Sequence, residues 1–178
     1  YELITNQKGA RLIGFGRYAG VVGAYNGLRG WGQMTGNFEL KPAHLCFDRK
    51  EVEQELKKVK LSDSFKLVMT GAGRVAGGIK EILEEISLQE VDPNEFLIKE
   101  FGKPVYSSLK VVDYVRRLDG RSFQRSDFYK DPTGFESAFL PFAKAADVYM
   151  SGHYWDDKSP YFFTRSQAKE KGFRLSMV

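Results

Sequence analysis

The 178-residue chain has one cysteine, Cys46. No intramolecular disulfide can form, and a metal site built from cysteines is excluded with it. A single thiol fits a reducing compartment, so a cytoplasmic location is expected. The chain also lacks any apolar run of the roughly 18–20 residues that a membrane helix needs, and no membrane partner is expected. It has no internal repeat and no low-complexity tract, which removes solenoids and linkers. It has little net charge: 27 basic and 23 acidic residues leave +4, spread along the sequence, so no nucleic-acid partner is expected. Hydrophobic residues at 42% and charged residues at 28% exclude collagen-like, mucin-like and disordered chains. The length suits one domain or one and a half. The sequence opens at Tyr1 with neither a methionine nor a signal peptide and closes inside the apolar run 173–178. A piece of a longer protein is therefore expected.

What is present alternates between strand-like and helix-like stretches. Residues 11–15 read as a short strand. Gly16, Gly20, Gly23, Gly27 and Gly30 then recur every three or four residues, on one face of a helix. Glycine costs a helix about 1 kcal/mol relative to alanine, so such a face implies close approach to another backbone. Residues 32–46 read as loop. Asp48 is placed to cap a charged surface helix over about 49–60, with Glu51 as its capping-box partner. A strand over 65–70 leads into a glycine turn at 71–78. An amphipathic helix follows, with Val75, Ile79, Ile82, Leu83 and Ile86 on its apolar side. Residues 88–92 read as a strand stopped by Pro93, residues 104–109 as a third and 146–152 as a fourth. Helix is expected in part over 113–118 and 126–145, and over 164–171 with Thr164 or Ser166 as cap. A last strand is expected at 173–178. This order implies an α/β fold, a Rossmann-like doubly wound parallel sheet with helices on both faces.

The spacing Gly71-x-Gly73-x-x-Ala76 fits the dinucleotide-binding fingerprint. Gly71 permits the tight turn, Gly73 lets a pyrophosphate approach bare main chain, and Ala76 keeps the helix close to the sheet. Ala72, Arg74 and Val75 complete the turn, whose helix N-terminus faces the phosphates. Asp92 follows Gly71 by 21 residues and Glu90 by 19. Either can accept the ribose hydroxyls, and Asp92 is preferred because its strand ends at Pro93. An acid there favours NAD over NADP. The loop after the fourth strand, Ser151-Gly152-His153-Tyr154-Trp155, is expected at the ligand, with Gly152 and Tyr154 touching it. The fingerprint alone leaves a flavin or S-adenosylmethionine open, as well as a plain turn without ligand.

The segment Gly9 to Gly20 (GARLIGFGRYAG), the turn at 71–78, Asp92, and the runs 151–155 and 159–164 occur in an order that resembles saccharopine dehydrogenase of the NAD-dependent, lysine-forming type. That family stands with alanine dehydrogenase and nicotinamide nucleotide transhydrogenase. The resemblance implies the cofactor part of a two-domain, amino-acid-linked oxidoreductase. Residues 1–60 would be an inter-domain segment and 61–178 an NAD(P)-binding domain, its small amino-acid substrate held through a further domain. It implies that Arg11 holds a substrate carboxylate and that Glu2 lies near the substrate amine. The family's lysine and histidine acid–base pair falls in a region this chain does not contain, so no catalytic residue is expected here. His44 and His153 do not match that histidine, and His44 is expected at the surface. The chain departs from the family in the spacing of its turn, where Arg74 directly follows Gly73. It also stops before a segment that usually carries a functional aspartate. Alanine dehydrogenase-like deamination and a non-catalytic dinucleotide sensor are the alternatives. The sequence sets no oligomeric state.

Overall fold

The computed structural model describes residues 3–178. It has six strands: β1 (Lys66–Thr70), β2 (Gln89–Glu90), β3 (Val105–Leu109), β4 (Val115–Arg117), β5 (Phe135–Ser137) and β6 (Val148–Ser151). Four of them form a parallel sheet in the spatial order β2-β3-β1-β6. All five residues of β1 are buried, as a central strand covered on both faces requires. Its side chains alternate between two cores. Leu67 and Met69 join Tyr106 and Met150 beneath α1 (Gly16–Thr35) and α3 (Arg74–Glu85). Val68 joins Val105 and Tyr149 on the other face, under α4 (Pro93–Ile98) and α7 (Leu140–Ala145). The doubly wound α/β arrangement read from the alternation is the one observed.

The first part of the glycine face of α1, Gly16 and Gly20, lies against α3. A Cβ on Gly20 would strike the Val75 carbonyl, and one on Gly78 would strike the Arg17 carbonyl. The close backbone approach that the spacing implied is present at Gly20, whereas Gly23 meets nothing within 4 Å and Gly27 and Gly30 face the side chains of Met150 and Met177. The helix runs on through Thr35, into residues read as loop, because Gly32 fits directly against Phe38. Gly36, at φ +70°, then ends it in the left-handed cap where glycine is favoured. The surface helix α2 (Arg49–Leu56) starts at Asp48, whose carboxylate accepts from the Glu51 N–H at 3.0 Å. It stops at Leu56, short of the expected residue 60.

Several expectations fail where local pattern yields to distant pairing. Residues 11–15 form no strand: Arg11 makes one isolated bridge to Thr5, and the segment is exposed. Of the helix expected over 113–118, only α5 (Val111–Tyr114) is present. Val115–Arg117 is instead strand β4, antiparallel to β5. Between these two strands sits α6 (Arg125–Lys130), and with α7 it makes 126–145 α-helical in part, as expected. Residues 164–171 supply the Thr164 cap, which accepts from the Gln167 N–H at 3.2 Å, but only a single 3-10 turn follows at Gln167–Lys169. Closed by Gly172 at φ +88°, this stretch has no buried face to propagate a helix. The last apolar run makes one parallel bridge, Met177 to Val148, rather than a full strand.

Candidate functional site

The C-terminal ends of β1, β3 and β6 converge on the glycine turn, where ligands of parallel sheets gather. Gly71 N–H faces the Leu109 carbonyl at 3.4 Å, and Gly152 N–H donates to the Thr70 carbonyl at 2.9 Å. Gly71 adopts φ +106°, and any Cβ there would strike the Gly152 carbonyl. Gly152 is equally confined: a Cβ would come within 3.0 Å of the Ala76 Cα. Ala76 is buried at this crossing and holds α3 onto the sheet. Gly73, the residue before α3, differs from both, since a Cβ on it would meet nothing within 4 Å.

That free side of Gly73 opens into a hollow of about 780 Å³. Gly71, Ala72, Gly73, Gly152 and Tyr154 line it. The hollow also takes its walls from residues that local pattern did not reveal. Lys110 and Val111 follow β3. Tyr114 ends α5. Phe123, Arg125 and Tyr129 arrive on the excursion between β4 and β5. Lys110 and Arg125 are exposed and make no ion pair among the described residues. The Arg125 guanidinium stands 5.3 Å from the centre of the Tyr129 ring. The position of Lys110 was legible as the residue after a strand; the excursion was not, because β4 and β5 are paired across 20 residues.

Other predicted site residues lie elsewhere. Arg74 points to the N-terminal segment, its Nη1 3.0 Å from where a Cβ on Gly14 would be. Val75 is turned toward α1, beside Gly20. Neither lines the hollow, nor does Ala76. Asp92 is the larger correction. The expected acid position assumes that β2 neighbours β1, but β3 lies between them. The Asp92 carboxylate instead caps α4, accepting from Asn94 N–H at 2.8 Å and Glu95 N–H at 3.4 Å. Glu90 is likewise engaged, with Lys80 at 2.9 Å and as acceptor of the Tyr106 hydroxyl at 3.0 Å. Arg11 is exposed and away from the hollow, and Glu2 lies outside the described residues. His44 is exposed, as expected.

At the base of the hollow, Thr70 and Tyr149 are buried beside His153. Burial pushes the Tyr149 hydroxyl up to about 12 and holds the His153 imidazole below its ordinary range. Among the described residues no cluster of histidine, cysteine and carboxylate side chains is arranged to hold a metal ion. No helix among them is long and apolar enough to cross a membrane.

No family model matches the chain. Over 95% of its length it is similar, at 27% identity, to the mitochondrial alpha-aminoadipic semialdehyde synthases of Rattus norvegicus and Mus musculus. Over 96% of its length it is 26% identical to the alpha-aminoadipic semialdehyde synthase of Arabidopsis thaliana. It spans only about a fifth of the length of these curated relatives: 21% of the rodent proteins and 19% of the plant one. The similarity agrees with the saccharopine dehydrogenase-like resemblance of the sequence. The two rodent names place those proteins in mitochondria, and give the expected cytoplasmic location no support.

Proposed function

We propose that the hollow binds a nicotinamide dinucleotide, and that the chain is the cofactor-binding part of an oxidoreductase acting on an amine-bearing carbon of an amino acid. The observation that carries this reading is Gly73. Its main chain faces the hollow with free space where a side chain would stand, beside a Gly71 whose left-handed backbone turns β1 into α3. A pyrophosphate needs bare main chain at such a turn. The substrate class comes from the relatives. Alpha-aminoadipic semialdehyde has the lysine skeleton, with the terminal amine-bearing carbon oxidised to an aldehyde. Saccharopine joins lysine to the 2-oxoglutarate skeleton through a secondary amine at that same carbon. Oxidation of this amine to an imine, followed by water, releases lysine and 2-oxoglutarate. The nicotinamide supplies hydride chemistry when bound, while this chain binds and orients it. Arg11 keeps its proposed role toward a substrate carboxylate contributed through a further domain.

A second reading of the cofactor has its own observation. The preference for NAD rested on Asp92, which is occupied in capping α4. At the end of the strand that does neighbour β1 stands Lys110, with Arg125 across the hollow. Lys110, without an ion pair among the described residues, suits a 2′-phosphate on that side, so NADP is the better-supported dinucleotide. Calorimetric titration of the intact protein with NADH and NADPH tests both statements. Binding of either at micromolar affinity supports the dinucleotide reading, and binding of neither overturns it. Tighter binding of NADPH, reduced at least tenfold by Lys110→Glu with NADH little affected, supports the second. Equal affinities, unmoved by that substitution, restore NAD.

A further inference from the structure

Thr70, the last residue of β1, places its hydroxyl between two side chains, 2.9 Å from the Tyr149 hydroxyl and 2.7 Å from His153 Nδ1. Each hydroxyl has one proton to donate, so the chain runs in one of two directions. In one, Tyr149 donates to Thr70 Oγ1 and Thr70 donates to Nδ1, with Ser151 Oγ 3.2 Å from the same nitrogen. In the other direction Nδ1–H donates to Thr70 Oγ1 and Thr70 to the Tyr149 hydroxyl, whose own proton turns to Ser151. With Nδ1 accepting, the proton of the neutral ring sits on Nε2. That nitrogen is shielded from solvent and, among the described residues, has no hydrogen-bond partner. A buried polar nitrogen left unpaired is destabilising, and the fold keeps one at the edge of the hollow.

The ring is firmly held. It stacks on Phe162 at 5.0 Å and 23°, and lies 5.7 Å from the Tyr114 ring. Its backbone nitrogen passes 2.8 Å from where a Cβ on Gly71 would be, so the imidazole departs from the main chain beside the glycine turn. The adjoining Tyr154 is 79% exposed and makes no hydrogen bond among the described residues, so its side chain is free to turn aside for a ligand.

We infer that His153 is a ligand-positioning residue, whose Nε2–H is kept for an oxygen acceptor of the molecule bound against the glycine turn. Thr70 acts through it by fixing the tautomer. The inference rests on the dinucleotide reading for the identity of that molecule, and the acceptor is a hydroxyl or phosphate oxygen of its ribose–pyrophosphate portion.

The test uses the intact protein, ¹⁵N-labelled at histidine, with NADH and NADPH as probes. Two-bond proton–nitrogen correlations are expected to show the Nε2–H tautomer of His153 in the free protein, and its Nε2 resonance is expected to move on saturation. His153→Asn keeps an acceptor toward Thr70 but removes the distal nitrogen, and should weaken binding about tenfold. His153→Gln puts an amide N–H near the lost position and should stay within about threefold of the parent. Thermal melting of both variants confirms their folding. An Nδ1–H tautomer, an unmoved resonance in the saturated complex, or parental affinity in His153→Asn overturns the inference. A parent that binds neither dinucleotide overturns the underlying reading and this one with it, whereas a parent that binds while His153→Asn binds equally overturns only this one.

Discussion

Two glycines two positions apart in one turn answer to different constraints. Gly71 has left-handed backbone and no room for a Cβ, so Gly71→Ala should lower the fold's stability by more than the roughly 1–2 kcal/mol of the backbone alone. Gly73→Val should leave the unfolding transition within about 1 kcal/mol of the parent, because its Cβ meets open space, yet abolish dinucleotide binding. Chemical denaturation paired with calorimetry separates these outcomes. Loss of stability in the second variant, or retained binding, contradicts the assigned geometry. Asp92→Ser is a third case. Serine is itself a competent helix cap, so stability should change by only a few tenths of a kcal/mol, and discrimination between NADH and NADPH should not change. The glycine roles were legible because they follow from spacing after a strand. The role of Asp92 was not, because position along a chain says nothing about which strand will intervene in space.

Among elements, the α1–α3 crossing and the β4–β5 pair stand at opposite ends of legibility. The crossing is written in a repeated local spacing, Gly16 to Gly30, which a helical period alone turns into one narrow face. Gly20→Val should force the helices apart at the Val75 carbonyl and lower the thermal midpoint by about 5 °C or more, as scanning calorimetry will show. A midpoint within a degree of the parent would mean that the helices do not meet there. The β4–β5 pair depends on a match between segments about 20 residues apart, each too short for its own pattern to speak. Its excursion is tied down by Arg117, whose guanidinium holds Asp119 at 2.7 Å and Asp127 at 2.8 Å. That tether positions Arg125 and Tyr129 at the hollow, which explains why the far wall of the candidate site was invisible in the sequence while the glycine turn was plain.

For the whole molecule, acidity should act in one direction. Burial holds His153 below its ordinary value of 6.5, so the unfolded chain takes up that proton first. Its contribution is intact above pH 6.5 and is lost as pH falls toward the depressed value. Hydrogen bonds from Lys41 and Arg17 hold Glu51 and Glu81 below the usual carboxylate range, and the Arg117 guanidinium does the same for Asp119. The contributions of the two glutamates are present above pH 4.5 and that of Asp119 above pH 3.8, and each fades below its value. Thermal melts from pH 8 to pH 3 should show a plateau, a decline beginning near pH 6.5 and a steeper one below 4.5. His153→Gln should remove the first decline alone. A midpoint that rises on acidification from pH 7 to pH 5 would contradict this assignment.

The strand order has a consequence in time as well as in space. β1 and β2 leave the ribosome consecutively and never become neighbours; the slot between them is filled by a stretch synthesised later. Until residues 105–109 have emerged, neither earlier strand has its native lateral partner on that side, and the Asp92 cap secures its helix to a border that does not yet exist. The lateral pairing of the first half of the molecule therefore depends on a wedge that arrives late, which makes the sheet's contacts non-local and its closure slow.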